Sequence, residues 1–518
     1  MTVYNDAKRS MYQKVPKLGG LCLNDAFDHK SYIMGNSISR AMIKKLKEWI
    51  EVKCVVVTTL SPRWNVIGSI RWEKISKYLS ENNDVVLVTT CVPTGFSLTE
   101  FSQRSFDLQK AKLVEIPFKS YVSLSGNVIL SRPEKQSIRS SVILRSAYKA
   151  AKKLLGPARR LFSEVLYLTA PMSLGPDGYS HVWLDSAEFQ RAVEEIVLST
   201  PKNTKIVLIT TFGPWFTLRL GKGIKRKYPE RVLWIADFRD PSFNVHSNRI
   251  THLPIYKRIT KLLLKDADAI LTVSKSLVED YYGPLLGNKV YFLPNGHDYD
   301  PCVGNPNVKI REPRREFVIG YTGTLYPRTI TVTPFVEALC LLADNLKRKN
   351  VKFVYAGISS AEVQTQFEKY GISDILTNLG PVPHNKAREI QLNSDLLLLI
   401  VYTGVDSVIG RGIRTGKLYE YLASFKPILA VAPKDWEMKE EIESDGVSRV
   451  FERHETNEMA RYIKWLAENR PSINYEKRRA VVEKYSYKNL AIELEKILND
   501  LLKPQKKFDS AMNDNCTD

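Results

Sequence analysis

The residues best suited to chemistry gather between 410 and 420, where glycines, cations and one carboxylate share a short run. Gly410, Gly412 and Gly416 let backbone N–H groups come close to a ligand, and Arg411, Arg414 and Lys417 bring positive charge to the same loop. The run RGIRTGKLYEYLASFKPILAV, from Arg411 to Val431, predicts a helix from about Thr415 to Ala423 and then a short buried strand. The positive end of that helix faces back onto the loop, so amides, dipole and side chains together favour a phosphate group. Glu420 follows Lys417 by about one turn and shares its helix face. A carboxylate only accepts hydrogen bonds, so beside an anion site it suits a hydroxyl-rich group such as a ribose. The bland alternative is a capped surface helix ahead of a buried strand.

Three further groups stand at the ends of apolar runs. VLWIADFRDP, from Val232 to Pro241, ends in Asp237, Arg239 and Asp240. Carboxylates flanking a guanidinium just past a buried strand are costly unless they pair with one another or meet a ligand, and both readings are open. Asn65, Gly68 and Arg71 lie in the loop and helix start after another strand, where Arg71 is either a site residue or a helix-surface charge. FVIGYTGTLYPR, from Phe317 to Arg328, runs from a strand into a glycine turn at Gly323, with Arg328 in reach of a phosphate. His384 is close enough to the second-half loops to touch a base or sugar, although an isolated histidine is more often a solvated loop residue.

These groups need strands to hold them, and the strands are plain. CVVVTTL from Cys54, Val85 to Thr90, KIVLITT from Lys205, and DLLLLIV from Asp395 are continuous apolar or β-branched runs, as in parallel strands covered on both faces. Helical periods alternate with them, including Phe216 to Lys227, Pro334 to Lys347 and a last helix from Tyr487 to Leu502. From Phe96 to about Leu168 the sequence reads as irregular. Strand, loop, helix, strand is a βαβ unit, and such units bind ligands beyond the carboxyl ends of their strands. The alternation occurs twice, which predicts an α/β protein with two Rossmann-like doubly wound domains facing a cleft. The expected limits are an N-terminal arm over 1–35, a first domain over 36–300 that takes an acceptor, and a linker over 301–315. A second domain over 316–485 takes a donor, followed by a C-terminal helix over 486–503 and a disordered tail over 504–518.

The pattern T-G-K-L-Y-E-Y-L-A-S-F-K-P-I-L-A resembles the donor-site signature of nucleotide-sugar glycosyltransferases of the GT-B fold, most closely the family 4 type of bacterial surface-polysaccharide assembly. P-x-x-x-x-I-G-S-x-R around Gly68, A-D-F-R-D-P at Asp237 and G-Y-T-G-T-L-Y at Gly323 resemble the same group. The resemblance implies a sugar moved with retention from a nucleotide-diphosphate sugar to a saccharide or lipid-linked saccharide acceptor. Gly323, Arg328, Arg414 and Lys417 would then grip the diphosphate and Glu420 the ribose. Asn65, Gly68 and Arg71 would line an acceptor or donor loop, with Asp237, Arg239 and Asp240 at the reacting hydroxyls. Many family 4 enzymes carry a second Glu at the position of Gly412 and a His at the strand end where Asp237 stands. Two rivals stand beside the transferase reading: a sugar-nucleotide 2-epimerase of the same fold, which would use the same donor grip without an acceptor, and a non-catalytic partner in a polysaccharide assembly complex, which these departures permit.

Composition narrows the partners. The chain has 518 residues and a formal net charge of +20, a surplus that favours anionic partners. No zinc-finger spacing, RNA-binding aromatic signature or heptad-backed basic region is present, so nucleic acid is not expected. The cysteines are scattered without C-x-x-C spacing, and no D-x-D pattern lies in a site-like setting, so neither a cofactor nor an obligatory metal is expected. No signal peptide or span of about 18 apolar residues occurs, which predicts a cytoplasmic protein. Residues 139–162 are rich in Arg and Lys interleaved with Leu, Val and Tyr. They suit peripheral contact with the anionic inner face of a membrane or, equally, a solvated helix packed by its apolar side.

Overall fold

The computed structural model describes residues 52–64, 67–94, 104–122, 128–130, 168–175, 181–240, 254–299, 316–326, 329–342, 351–404 and 410–503. The arm, the basic segment 139–162, the linker over 301–315 and the tail over 504–518 lie outside these residues.

The first half carries the strands β1 (Val52–Val57), β2 (Asp84–Cys91), β3 (Lys112–Pro117), β4 (Ser120–Val122), β5 (Val128–Leu130), β6 (Met172–Leu174), β7 (His181–Trp183), β8 (Lys205–Thr211), β9 (Val232–Phe238), β10 (Ala269–Thr272) and β11 (Val290–Phe292). Seven of them form a wholly parallel sheet in the order β11-β10-β9-β8-β1-β2-β3. Successive residues of β1 go to opposite faces: Val55 and Val57 join one apolar cluster, Cys54 and Val56 another. Burial on both faces is what the unbroken β-branched run required.

The second half repeats the plan with β12 (Phe317–Thr322), β13 (Val351–Ala356), β14 (Leu376–Asn378), β15 (Leu396–Ile400), β16 (Ile428–Val431) and β17 (Arg449–Phe451). Their order is β14-β13-β12-β15-β16-β17, again all parallel. In both sheets the strand order reverses beside the first strand, between β1 and β8 and between β12 and β15, which opens a crevice at the carboxyl ends there.

Between and around the strands run α1 (Ile67–Leu79), α2 (Phe216–Lys227), α3 (Pro254–Leu264), α4 (His384–Asn393), α5 (Gly416–Leu422) and α6 (Tyr487–Leu502), among others. The last of these returns to the first half: Tyr487, Leu490, Leu494 and Leu498 bury against Trp72, Ile75 and Leu79 of α1. Each side chain so buried contributes roughly 1.5–3 kcal/mol relative to exposure. Just before α6, Ser486 forms a β-bridge with His297, whose imidazole also meets the Val482 carbonyl at 2.8 Å.

Two expectations need correction. The stretch expected to be irregular contains β3, which extends the parallel sheet, and β4 and β5, which join β6 and β7 in a small antiparallel sheet. Three-residue strands are shorter than the window over which alternation can be read. The helix expected over Pro334 to Lys347 ends at Cys340, with 343–350 outside the described residues.

Candidate functional site

Near the carboxyl ends of β12 and β15, four of the second-half residues that the sequence singles out come together: Gly323, Lys417, Glu420 and His384. β12 is buried throughout and ends in Gly323, whose φ of +131° only glycine adopts easily. Its N–H donates to the Ala356 carbonyl at 2.8 Å, and its own carbonyl accepts from Tyr355 Oη at 3.0 Å. A Cβ added at Gly323 would stand 2.9 Å from Lys417 Nζ, so the ammonium group packs directly on the turn. Lys417 donates to Tyr321 Oη at 2.6 Å and lies 4.2 Å from the centre of that ring. Burial pushes the amine down to about 7, with Glu420 opposing the fall.

Glu420 is held from two sides. His384 Nε2 lies 3.1 Å from Oε1, and Gln391 Nε2 donates to Oε2 at 2.9 Å. His384, Arg388 and Gln391 occupy positions i, i+4 and i+7 of α4, a single face. Arg388 donates to the Glu420 and Ala423 carbonyls at 2.9 and 3.0 Å and stacks on the Tyr299 ring at 3.9 Å. Burial would raise the Glu420 carboxyl, but the hydrogen bonds from His384 and Gln391 and the charges of His384 and Arg388 outweigh it and hold the group below its usual range. The hydrogen bond to Glu420 raises the His384 imidazole, while burial and the charges of Arg104 and Arg388 oppose that rise. Arg104 belongs to the first half, so this cluster faces across the crevice.

Arg414 and Arg411 lie elsewhere. The Arg414 side chain is only 2% exposed and pairs with Glu437, donates to Tyr485 Oη at 3.2 Å and covers the Phe292 ring at 4.8 Å. Glu437 in turn accepts from the Ser276 N–H at 3.1 Å. Arg414 thus fastens the two halves together and is not free to meet a phosphate in this arrangement. Arg411 reaches Glu279 and Asp280 of the first half at 3.5 and 3.7 Å. Gly412 has a steric reason: a Cβ there would lie 2.6 Å from Ser276 Cβ, so no glutamate fits while the halves meet at this point. The helix expected from Thr415 to Ala423 is α5, and its N-cap Thr415 makes no side-chain capping bond.

In the first half, Arg71 and Asp237 form an internal pair. Arg71 is 1% exposed, Asp237 fully buried. Arg71 donates to Asp237 Oδ1 at 3.0 Å and to the Leu293 and Pro294 carbonyls at 2.8 and 2.6 Å, while Trp72 Nε1 donates to Asp237 Oδ2 at 2.7 Å. Both carboxylate oxygens are therefore occupied, and Arg71 is neither a surface charge nor open to a ligand. Arg239 lies over Gly68, where a Cβ would stand 1.7 Å from Nη1, so glycine at 68 makes room for the guanidinium. Asp240 beside it is exposed. Asn65 and Arg328 lie outside the described residues.

The sequence reading passed over Gln391, Arg388 and Arg104 and ranked His384 as a solvated residue. The available signal was the polar face of α4 at i, i+4 and i+7, next to the otherwise buried Ile390. Among the described residues, no group of three or more His, Cys, Asp or Glu side chains could hold a metal ion, and no helix is long and apolar enough to cross a membrane.

A scan against protein-family models matches nothing, and neither does a sequence search of curated proteins. Solved structures do match in fold. Sucrose-phosphate synthase from Thermosynechococcus elongatus has a TM-score of 0.56 at 11% identity, over 87% of this chain and 99% of that one. An alpha,alpha-trehalose-phosphate synthase (UDP-forming) from Burkholderia vietnamiensis gives 0.52 at 11% identity, over 87% and 99%. An E. coli structure described as trehalose-6-phosphate bound with UDP-2-fluoro glucose gives 0.53 at 12% identity, over 87% and 99%. At such identities the likeness is one of fold, and the fold is the two-Rossmann-domain GT-B arrangement.

Proposed function

We propose that the protein is a glycosyltransferase that moves a sugar from a nucleotide-diphosphate sugar to a saccharide or lipid-linked saccharide acceptor in cell-surface polysaccharide synthesis. The observation that carries this reading is the meeting of the Gly323 turn, Lys417 and Glu420 at the carboxyl ends of β12 and β15. A cation against a glycine turn suits a diphosphate, and a carboxylate on the neighbouring helix turn suits ribose hydroxyls. The fold it shares with a synthase described as UDP-forming supports the same donor class.

In the reaction, the bond between the anomeric carbon and the diphosphate breaks and negative charge grows on the leaving oxygen. Lys417, protonated by contact with that charge, stabilises it from a fixed position and supplies what a divalent ion would otherwise give. Glu420, oriented by Gln391 and His384, holds the ribose. Arg239 and Asp240, at the end of β9, are the first-half groups left to orient the acceptor hydroxyl. Retention and membership of the family 4 type rest on the signature around Lys417 and Glu420.

Calorimetric titration with a panel of nucleoside diphosphates, followed by incubation of the matching nucleotide sugar with and without oligosaccharide acceptors, tests the reading. Binding of one diphosphate with acceptor-dependent release is expected. An isomerised nucleotide sugar formed without acceptor, or no diphosphate binding at all, would overturn it.

A further inference from the structure

α3 packs by one side only. Tyr256, Thr260 and Leu264, at i, i+4 and i+8, are 2%, 0% and 0% exposed and face the first-half core. The opposite side carries Ile255 and Leu262, 56% and 61% exposed and two turns apart. Arg258 falls between them at i+3, and Lys257, Lys261 and Lys265 continue the exposed surface away from the two aliphatic side chains. A lone exposed aliphatic is ordinary, but a pair aligned on one helix face beside a band of cations is an interfacial pattern.

The neighbouring helix α2 shows that this band is unusual. It is more basic still, yet its cations have internal partners: Arg219 donates to the Leu168 and Thr169 carbonyls, Lys222 to the Leu262 carbonyl, Lys225 pairs with Asp268, Arg226 with Asp266, and Lys227 with Glu194. No described residue offers Arg258, Lys261 or Lys265 a hydrogen bond or an ion pair. Charge that no described residue matches, next to apolar side chains left in water, is complementary to a surface that is anionic outside and apolar beneath.

We infer that this face of α3 docks on an anionic lipid bilayer, with Ile255 and Leu262 entering the headgroup–acyl boundary and Arg258, Lys261 and Lys265 meeting lipid phosphates. α3 lies in the crossover from β9 to the parallel β10, so its first turn lies towards the carboxyl end of β9, where Arg239 and Asp240 stand. The docked bilayer thus borders the acceptor side of the crevice. The surface stands independently of the transfer reaction, because lipid binding needs no turnover.

The test is flotation of the full chain with vesicles of equal parts phosphatidylcholine and phosphatidylglycerol, against pure phosphatidylcholine. The chain floats with the anionic vesicles. The double variant Arg258→Glu/Lys261→Glu lowers the partition coefficient by roughly 25-fold or more, about fivefold for each cation removed. Ile255→Ser/Leu262→Ser lowers it by about tenfold, since the apolar contribution of both side chains is lost. All four side chains are exposed, and an unchanged thermal melt checks that each variant is folded. Wild-type partition by either variant overturns the inference, as does failure of the wild type to float. Sensitivity to charge alone, with the Ile255/Leu262 variant unaffected, would identify a site for soluble polyanions and would equally overturn it.

Discussion

The two halves present charged residues at the carboxyl ends of buried parallel strands and surround them differently. At β9, Asp237 is sealed by Arg71 and Trp72, with every carboxylate oxygen occupied. At β12 and β15, Lys417 is half-buried on a glycine turn, and the Glu420 side chain keeps 21% of its surface open. Position at a strand end therefore does not make a site. What separates the two is access: Arg71 and Asp237 are sealed in the core, whereas Glu420 and its partner His384 keep part of their surface open.

The sharpest way to break this contrast is at Asp237. Asp237→Ala strands the Arg71 guanidinium in the core and is expected to lower unfolding free energy by about 3–5 kcal/mol in urea titrations, with diphosphate affinity of the folded fraction unchanged. A stable variant that loses transfer would instead make Asp237 a reacting group. At Lys417 the reverse is expected. Lys417→Met should slow turnover by roughly 10- to 1,000-fold. The folded-state amine is depressed to about 7, so it binds fewer protons than the unfolded chain between about pH 7 and its ordinary value of 10.5. Burying its charge therefore weakens the fold at and below neutrality and is relieved as pH rises through that window. The variant should accordingly melt higher than wild type at pH 7, as scanning calorimetry would show.

A smaller effect falls at Glu420, the proposed ribose grip. Gln391→Leu removes one of the two side chains that aim Glu420, and donor KM should rise about tenfold with little change in kcat, in line with a lost hydrogen bond to a charged group. A fall in kcat alone would move Glu420 to the chemical step. The mildest effect is in pH. Below about 7 Lys417 is charged before ligand arrives, whereas above it diphosphate binding must take up a proton. Affinity should fall as pH rises past 7, by at most tenfold per unit, and titration of Lys417→Met should show no such slope.

Much of this could be read in the chain. Continuous runs such as CVVVTTL and LLLLI admit few structures other than doubly covered parallel strands, and Phe216–Lys227 and Tyr487–Leu502 fall where the helical period ends. Gly323, Lys417 and Glu420 were legible because a glycine turn, a cation and a carboxylate carry their chemistry in their residue types. The partners were not. Arg414 resembled a phosphate ligand because Glu437, which takes its charge, lies in a different loop, and Arg71 resembled a site residue or a helix-surface charge because Asp237 is remote in sequence. Gln391 gave only the faint signal of a helix face shared with His384 and Arg388, and nothing in the sequence aimed that face at Glu420. β3 escaped because its alternation is weak: KLVEIP is an edge strand with a single buried residue.

The bridge between His297 and Ser486 has a mechanical meaning. It pins the end of the first half's described residues to the start of α6, where the chain returns to that half, and makes a pivot of the two. Swinging about that pivot displaces nearby atoms least and the outer lips most. Tyr299, two residues from His297, lies 3.4 Å from His384. The His384 end of the crevice therefore moves least, and leverage is greatest at the far lip.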